Sequence, residues 1–286
     1  MTSPVFRFAP SPNGYLHLGH AFSALFTFAA ARQAGGRFLV RIEDIDAARC
    51  PQTLVEAMLE DLAWLGLSWE TPVRRQSEHR GDYAGKLARL AAMGLTYPCF
   101  CSRHDIQQAN PARRDPDGAP VYPGTCRQLS ADQRARRMAQ GEPHGVRLDL
   151  QRALAQPAAA GLQFCEQGAG PGGETGRLAA RPELWGDVIL ARKDIATSYH
   201  LAVVSDDALQ GITHVTRGQD LFYATHIHRL LQALLGLPQP VYRHHRLIGD
   251  DTGRKLAKSA GDRSLRSLRA AGISAAAIRG HLGFEA

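Results

Sequence analysis

Two different periods of apolar residues mark the N-terminal part of the chain. In residues 5–9 the phenylalanines share one face and Arg7 lies on the other, which predicts a short strand. Residues 19–33 carry apolar side chains at helical spacing and predict an amphipathic helix. Residues 37–42, RFLVRI, predict a second strand. Because strand, glycine-containing turn, helix and strand make a βαβ unit, we predict an α/β fold with a parallel, Rossmann-like sheet.

This alternation of strand and helix patterns stops between about residues 97 and 185. The interval holds three clustered cysteines, a turn-rich run (NPARRDPDGAP) and an Ala/Gly/Pro-rich stretch at 156–176. Strand and helix patterns resume at Gly186, and a helical, alanine-rich tail follows Gly261. We therefore predict four parts: the first half of a Rossmann-like domain (1–96), an inserted subdomain (97–185), the second half of the domain (186–240), and a loop with a short helical tail (241–286).

The composition predicts a soluble, globular protein. Of the 286 residues 44% are hydrophobic and 21% are charged, which is enough apolar content for a buried core. The longest apolar stretch, residues 21–31, is too short to span a membrane, and the N-terminus lacks a basic start followed by an apolar run. We expect a cytoplasmic protein with no membrane partner, and a monomer by default.

The chain carries a net charge of +7, and its excess of arginine lies mainly in segments 99–140 and 241–286. Such patches suit a polyanion such as nucleic acid or nucleotide phosphates, although a solvated surface has the same composition. Lysine is scarce, yet Lys255 and Lys258 lie three residues apart. This spacing marks both lysines as candidates for a phosphate site.

Five cysteines, an odd number, argue against a disulfide framework and for a thiolate metal site in a reducing compartment. Cys99, Cys101 and Cys126 are clustered, and the other two lie apart. Three thiolates that include a C-x-C pair suit zinc, but a closed tetrahedral site needs a fourth ligand. His104 is a local candidate for that ligand, and we expect one structural zinc ion.

The turn after the first predicted strand has the chemistry of a phosphate site. Its sequence, RFAPSPNGYLHLGH at 7–20, places His17, Gly19 and His20 at the start of the predicted helix. A helix N-terminus offers unpaired N–H groups and a positive dipole end, and imidazoles donate to phosphate oxygens. Near the C-terminus, Lys255 and Lys258 in KLAKS follow a glycine-rich segment and suit a polyphosphate whose charge grows as pyrophosphate leaves. An ordinary helix start and a solvated basic loop are the alternatives.

Together these two segments resemble the HIGH and KMSKS motifs of class I aminoacyl-tRNA synthetases. The first segment, RIEDID at 41–46 and SYHLAVVSDDALQGITHVTRGQDL at 198–221 are similar to stretches of glutamyl-tRNA synthetases. The resemblance implies the Rossmann-like parallel sheet of that class with an inserted, acceptor-type domain. It also implies that ATP, accompanied by Mg²⁺, binds to His17, Gly19, His20, Lys255 and Lys258, of which His17, His20 and Lys258 take part in catalysis.

The same resemblance implies a site for L-glutamate. Arg7 and Arg217 match positions that bind substrate carboxylate, where a guanidinium can form two parallel hydrogen bonds. Glu43 and Ser11 match positions that receive the α-amino group, and Tyr199 matches a tyrosine that contacts the substrate. The remaining implied positions are Phe8, Ala9 and Pro10.

The cysteine cluster and the length of chain after KLAKS resemble one group of this family, the glutamyl-Q tRNA(Asp) synthetases. That group has a Cys-x-Cys…Tyr-x-x-x-Cys zinc site, which implies Tyr122 as the fourth ligand beside Cys99, Cys101 and Cys126. Ser259 is followed by only 27 residues, too few for a domain that reads the anticodon. The resemblance thus implies that glutamate is activated with ATP and transferred to queuosine at the wobble position of tRNA(Asp).

Other functions are consistent with parts of this sequence. A truncated glutamyl-tRNA synthetase would use the same activation site to charge a tRNA acceptor end. A non-catalytic RNA-binding paralogue would keep the fold and the zinc site, and an adenylyltransferase acting on a small molecule would keep the histidine loop. Within the implied glutamate site, structural ion pairs are a further alternative: Arg217 with Asp220, and Glu43 with Arg41.

Overall fold

The computed structural model describes residues 3–109, 112–249 and 263–284 of the chain. Its α-helices are α1 (Leu18–Gln33), α2 (Gln52–Trp64), α3 (Arg80–Ala92), α4 (Arg103–Ala109), α5 (Ala131–Ala139), α6 (Leu150–Leu154), α7 (Tyr199–Leu209), α8 (Ala224–Leu234), α9 (Leu265–Ala270) and α10 (Ala275–Leu282). Its strands are β1 (Val5–Phe8), β2 (Arg37–Ile42), β3 (Arg74–Arg75), β4 (Thr96–Cys99), β5 (Gly145–Leu148), β6 (Gln163–Glu166), β7 (Gly176–Ala179), β8 (Ile189–Ala191), β9 (His214–Gly218) and β10 (Val241–His245). Within these ranges, every helix is too short or too polar to cross a membrane.

A seven-stranded sheet forms the centre of the molecule, in the order β3-β2-β1-β9-β10-β6-β7. The pairings from β3 through to β6 are parallel, and β7 joins the edge in antiparallel orientation. This confirms the predicted α/β fold with a parallel sheet. The observed bounds of β1, α1 and β2 differ from the predicted ones by at most one residue.

Helices cover both faces of this sheet. Phe6 and Phe8 of β1 pack with α1, α2 and the C-terminal helices, whereas Val5 packs with Val215 and Tyr242 in a separate cluster. Because neighbouring strand residues point to opposite faces, this division places one cluster on each side of the sheet. All four residues of β1 are buried, as expected for a parallel strand that is covered on both faces.

The strand order changes direction between β1 and β9. Here β1 has β2 on one side and β9, from much later in the chain, on the other. In open parallel sheets such a reversal leaves a crevice beyond the carboxyl ends of the strands, where ligands bind. The residues after β1 and β2 and at the end of β9 are therefore placed to form a site.

The inserted region differs from the predicted interval of 97–185. A second, antiparallel sheet has the order β4-β5-β8, so residues 189–191, which we assigned to the Rossmann-like half, pair with the insertion. Conversely, β6 and β7 lie inside the predicted insertion but extend the main sheet through β10. Strand pairing therefore groups these short strands differently from composition, because the sequence of a short strand does not encode its pairing partner.

Candidate active site

The carboxyl ends of β1 and β9 border a cavity of about 1280 Å³. It is lined by most of the predicted ATP and glutamate residues: Arg7, Phe8, Ala9, Pro10, Ser11, His17, Gly19, His20, Glu43, Tyr199 and Arg217. The predicted lysines, Lys255 and Lys258, lie outside the described residues. Three distant segments of the sequence, around 7–20, 43 and 199–217, thus meet in one space.

His17 and His20 cap the N-terminus of α1 with their side chains. The N–H of Gly19 donates to Nδ1 of His17 at 3.1 Å, and the N–H of His17 donates to Nδ1 of His20 at 3.3 Å. The two ring centroids are 3.9 Å apart. Since each Nδ1 accepts a hydrogen bond, each neutral ring carries its proton on Nε2. Both histidines therefore present an N–H donor while they hold the first turn of the helix.

Gly19 is required by the geometry of this cap. A Cβ atom at residue 19 would lie 2.9 Å from Cε1 and 3.1 Å from Nδ1 of the His17 ring. In the structure, the glycine makes room for the imidazole of His17 itself.

A buried network of ion pairs fixes Arg7. Its Nε donates to Oδ1 of Asp207 at 3.0 Å, and Nη1 of Arg41 donates to the same oxygen at 2.8 Å. Nη1 of Arg7 also donates to the backbone oxygen of Thr216 at 3.1 Å. Burial alone would raise the pKa of Asp207, but Arg7 and Arg41 hold that pKa below its usual value. Asp207 therefore stays ionised and orients Arg7 along the cavity wall.

Glu43 lies just beyond β2 and 3.2 Å from Nη2 of Arg41, so the structural pairing considered for it is present. Arg41 is fully buried and also lies near the carboxylates of Asp206 and Asp207. Burial raises the pKa of Glu43 even though Arg41 opposes the shift. Since Arg41 shares its charge among three carboxylates, a cationic ligand beside Glu43 would stabilise the ionised form of Glu43.

Arg217, at the end of β9, lies among neutral acceptors. Its guanidinium donates to Nε2 of His244 at 3.0 Å and to Oγ1 of Thr225 at 2.7 Å. It also reaches Nδ1 of His228 at 3.2 Å and the Tyr199 hydroxyl at 3.4 Å. Over the ranges that the structure describes, no carboxylate forms an ion pair with Arg217, so the alternative pairing with Asp220 is not observed.

The titratable side chains that contact Arg217, and His200 behind them, are held uncharged. Burial lowers the pKa of His244 and of His200 to about 4, and it lowers the pKa of His228 well below its usual value. The positive charge of Arg217 contributes to each shift. Burial also raises the pKa of Tyr199, so its hydroxyl keeps the proton. An anionic ligand would therefore supply the counter-charge for Arg217.

A second cavity, of about 900 Å³, borders the first. Ser11, Glu43 and Tyr199 line both spaces. Its outer wall includes Tyr122 from the inserted region and Trp185, which precedes β8. A molecule held by the insertion would thus meet the occupant of the first cavity at the three shared side chains.

The predicted cysteine cluster is present in the inserted region. The Sγ atoms of Cys99, Cys101 and Cys126 all lie within 4.8 Å of one another. The Tyr122 hydroxyl lies 3.6 Å from Sγ of Cys101 and accepts the N–H of Cys126 at 2.7 Å. In the described chain His104 is not part of this group and lines the second cavity instead. Three sulfur atoms and one phenol oxygen therefore lie close together, which is the number of donors that a tetrahedral metal site requires.

Hydrogen-bond donors surround the sulfur atoms. Nε of Arg147 donates to Sγ of Cys99 at 3.3 Å, and the N–H of Phe100 donates to Sγ of Cys126 at the same distance. Burial opposes ionisation of Cys126, but hydrogen bonds from Tyr122 and Phe100 bring its pKa below the usual value. Burial raises the pKa of Cys101 to about 11. The donor set fits a divalent cation, which would supply the charge needed to deprotonate the remaining ligands.

Known proteins are similar to this chain in sequence and in fold. The family model of the class I tRNA synthetases (E and Q), catalytic domain, matches residues 5–281. The glutamyl-Q tRNA(Asp) synthetase of Rhodobacter capsulatus is 50% identical in sequence to this chain. The match covers 97% of this chain and 99% of that relative. The chain belongs to the glutamyl-Q tRNA(Asp) synthetase family. Another member, from Symbiobacterium thermophilum, is 41% identical over 97% of this chain and 85% of its own length.

A solved structure extends the comparison to the fold. The glutamate-tRNA synthetase of Elizabethkingia anophelis matches 91% of this glutamyl-Q synthetase family member, with a TM-score of 0.73 and 25% identity. The match covers 53% of that chain. The chain is therefore an enzyme, a ligase of the class I tRNA synthetases, as the two motif-like segments predicted.

The residues that orient the site of this synthetase were not predicted from the sequence. Asp206 and Asp207 are buried in α7, where two adjacent acidic residues interrupt the apolar run LAVVSDDAL. Because unpaired carboxylates are seldom buried, that interruption was a usable signal for ion pairs. His228 and His244 gave no such local signal, since their role depends on contacts with Arg217 that join separate elements.

Proposed function

We propose that this synthetase activates L-glutamate with ATP and transfers the glutamyl group to queuosine at the wobble position of tRNA(Asp). The observation that carries the proposal is the single cavity that combines two buried arginines, a half-buried glutamate and a histidine-capped helix N-terminus. The printed names of the relatives support the same acceptor. A cytoplasmic location and a monomeric state stay predictions.

In this proposal glutamate binds between Arg217 and Glu43. Arg217 has neutral partners and can form charge-assisted hydrogen bonds to a substrate carboxylate. Arg7 is held by Asp207 and offers its remaining N–H groups to a carboxylate in the same cavity. Glu43, with Ser11 beside it in the cavity wall, receives the α-ammonium group, and Tyr199 contacts the substrate from the other side.

The ATP phosphates bind at the N-terminus of α1. There His17 and His20 donate from Nε2, and the helix dipole favours the negative charge. Lys255 and Lys258, outside the described residues, would neutralise charge on the departing pyrophosphate, and Mg²⁺ accompanies ATP. These groups act by position and charge, since no protein nucleophile is required.

Two displacements complete the reaction. An oxygen of the substrate α-carboxylate attacks the α-phosphorus of ATP, the bond to the β-phosphate oxygen breaks, and pyrophosphate leaves. A hydroxyl of the acceptor then attacks the acyl carbon, loses its proton, and displaces AMP. The second cavity is where the acceptor approaches, because Ser11, Glu43 and Tyr199 border both spaces.

The cysteine cluster is proposed to hold one structural zinc ion. Cys99, Cys101, Cys126 and Tyr122 supply the four donors. Zinc with closed coordination stabilises a fold and leaves no open position for chemistry. Tyr122 also lines the second cavity, so the metal site would shape the wall that faces the acceptor.

The decisive experiment supplies labelled glutamate, ATP and bulk tRNA from cells that can or cannot make queuosine. We expect label only on queuosine-containing tRNA. Equal labelling of both pools would mean that the acceptor end is charged, as in a truncated glutamyl-tRNA synthetase. Absence of glutamate-dependent pyrophosphate exchange would instead support a non-catalytic RNA-binding protein.

A lysine variant tests the activation step on its own. Lys258→Ala should slow glutamate-dependent pyrophosphate exchange while zinc content and melting temperature stay unchanged. Lys86→Ala, on α3 and away from both cavities, is the matched control and should exchange normally. Equal rates for the two variants would remove Lys258 from the mechanism.

A further inference from the structure

Arg217 dictates where two neighbouring histidines carry their protons. A guanidinium has donors only, so any nitrogen that it contacts at hydrogen-bond distance must be an acceptor. Arg217 lies 3.0 Å from Nε2 of His244 and 3.2 Å from Nδ1 of His228. The neutral rings must therefore be protonated at Nδ1 of His244 and at Nε2 of His228.

Each of these protons has an acceptor on the far side of the ring. Nδ1 of His244 donates to Oε2 of Glu166 at 2.5 Å, and Nε2 of His228 donates to Nδ1 of His200 at 3.2 Å. Glu166 and His244 are both fully buried. The other oxygen of Glu166 accepts the backbone N–H groups of His244 at 2.8 Å and Gly168 at 2.7 Å. Every donor and acceptor direction from Glu166 to Arg217 is thus fixed.

We propose that Glu166 and His244 are positioning residues that hold the guanidinium of Arg217 towards the cavity with its charge available to a carboxylate substrate. The inference rests on the proposed binding of glutamate by Arg217. The imidazole of His244 separates the carboxylate of Glu166 from the guanidinium of Arg217. Glu166 therefore fixes the tautomer of His244 without forming an ion pair with Arg217. The arrangement favours a carboxylate over an amide, because only the carboxylate brings the missing counter-charge.

Arg7 provides the contrast within the same cavity. It donates directly to the carboxylate of Asp207, so its charge is already balanced by a protein anion. Nε of Arg217, in contrast, donates to the imidazole of His244. That ring is neutral, because burial lowers its pKa to about 4. The two arginines are therefore not equivalent, and selection for negative charge is assigned to Arg217.

Glu166→Gln changes the tautomer without changing the shape. The backbone N–H groups of His244 and Gly168 require the amide oxygen on their side, so the amide nitrogen faces Nδ1 of His244. That nitrogen can only donate. His244 would then move its proton to Nε2, where it opposes Nε–H of Arg217 and displaces the guanidinium.

The assay is pyrophosphate exchange with glutamate and ATP varied separately. For Glu166→Gln we expect the KM for glutamate to rise by about tenfold or more, with the KM for ATP unchanged and the preference for glutamate over glutamine reduced. The matched control is Glu174→Gln, in the same β6–β7 segment, whose carboxylate accepts the N–H of Gly172. It should behave as the parent enzyme.

A double-variant comparison separates positioning from a general structural effect. In His244→Gln the amide oxygen can accept from Arg217 but the link to Glu166 is lost. Adding Glu166→Gln to that background should change the KM for glutamate no further, because Glu166 acts through His244. A further rise would assign Glu166 a separate role and overturn the proposal.

Histidine ¹⁵N spectra of the unmodified enzyme test the geometry without any substrate. We expect His244, assigned by its loss in His244→Gln, to be neutral and protonated at Nδ1; protonation at Nε2 would overturn the proposal even if Glu166→Gln fails to fold. A lower KM for glutamate in Glu166→Gln would show that Glu166 acts only by its negative charge, which also overturns it. Lack of glutamate-dependent exchange in the parent enzyme would instead refute the proposed function.

Discussion

Replacing a buried arginine usually destabilises a protein, but Arg217→Met should strongly weaken substrate binding at little cost in stability. The substitution removes four hydrogen bonds from a charged group, to His244, His228, Thr225 and Tyr199. Two of them are 3.2 Å or longer, so each is worth about 1.5 kcal/mol, the low end for such bonds. The substitution also removes the desolvation cost of a cation that has no carboxylate partner in the described chain, a cost of several kcal/mol. The two contributions nearly cancel, so we expect unfolding free energy to change by less than about 2 kcal/mol.

Activity should respond very differently. A bound carboxylate would lose its charge-assisted hydrogen bonds, each worth about 1.5–3 kcal/mol. At about 1.4 kcal/mol per factor of ten, kcat/KM for glutamate should fall by about 10²-fold or more. Glutamate-dependent pyrophosphate exchange measures this loss, and thermal unfolding measures the change in stability.

Arg41→Met is the matched comparison, because Arg41 is also buried but compensates Glu43, Asp206 and Asp207. Breaking such a buried pair costs about 3–5 kcal/mol. We expect its melting temperature to fall by about 10 °C, against a few degrees for Arg217→Met. If Arg217→Met unfolds as readily as Arg41→Met, Arg217 is a structural residue and its assignment to the substrate is wrong.

Three further outcomes follow from the structure. Gly19→Ala should raise the KM for ATP by about tenfold, because the new Cβ would lie 2.9 Å from the His17 ring; an unchanged KM would argue against that cap as a phosphate site. Cys99→Ser should lower zinc content, measured by metal analysis, and reduce the melting temperature, whereas full zinc retention would place the metal elsewhere. Burial lowers the pKa of His200, His226 and His244 from 6.5 to about 4, so unfolded chains bind more protons below pH 6.5. The unfolding free energy should therefore fall between pH 6.5 and pH 4, by about 1.4 kcal/mol per pH unit for each histidine, and urea denaturation that is independent of pH in this range would contradict the assignment.

The sequence was most informative where local pattern and structure coincide. The alternation in β1, the helical spacing in α1 and the run in β2 each depend on neighbours within a few residues, so a single sequence predicts them. The phosphate-type loop could be placed for the same reason, because its chemistry and its helix start are contiguous. Resemblance then extended the prediction to Arg217, 210 positions after Arg7.

Long-range pairing accounts for what was missed. In β6, Phe164 and Glu166 are buried while Gln163 and Cys165 are exposed. One of the two side chains that the strand buries is therefore a carboxylate. That pattern does not distinguish a strand of the main sheet from a polar loop of the insertion. The burial of Glu166 makes sense only with His244 beside it, and that contact joins residues 78 positions apart.

The path of the chain between the two sheets has a consequence for building chimaeras. After β5 the chain leaves the small sheet, adds β6 and β7 to the edge of the large one, and returns to contribute β8. Exchanging residues 97–185 as one segment would not transfer the cysteine cluster as an intact module. The segment would include β6 and β7, which belong to the main sheet, and would omit β8, which belongs to the small one. A graft between relatives would need two separate splices, one on each side of the β6–β7 hairpin. This path of the chain thus ties the evolution of the inserted sheet to that of the main sheet, which carries Glu166.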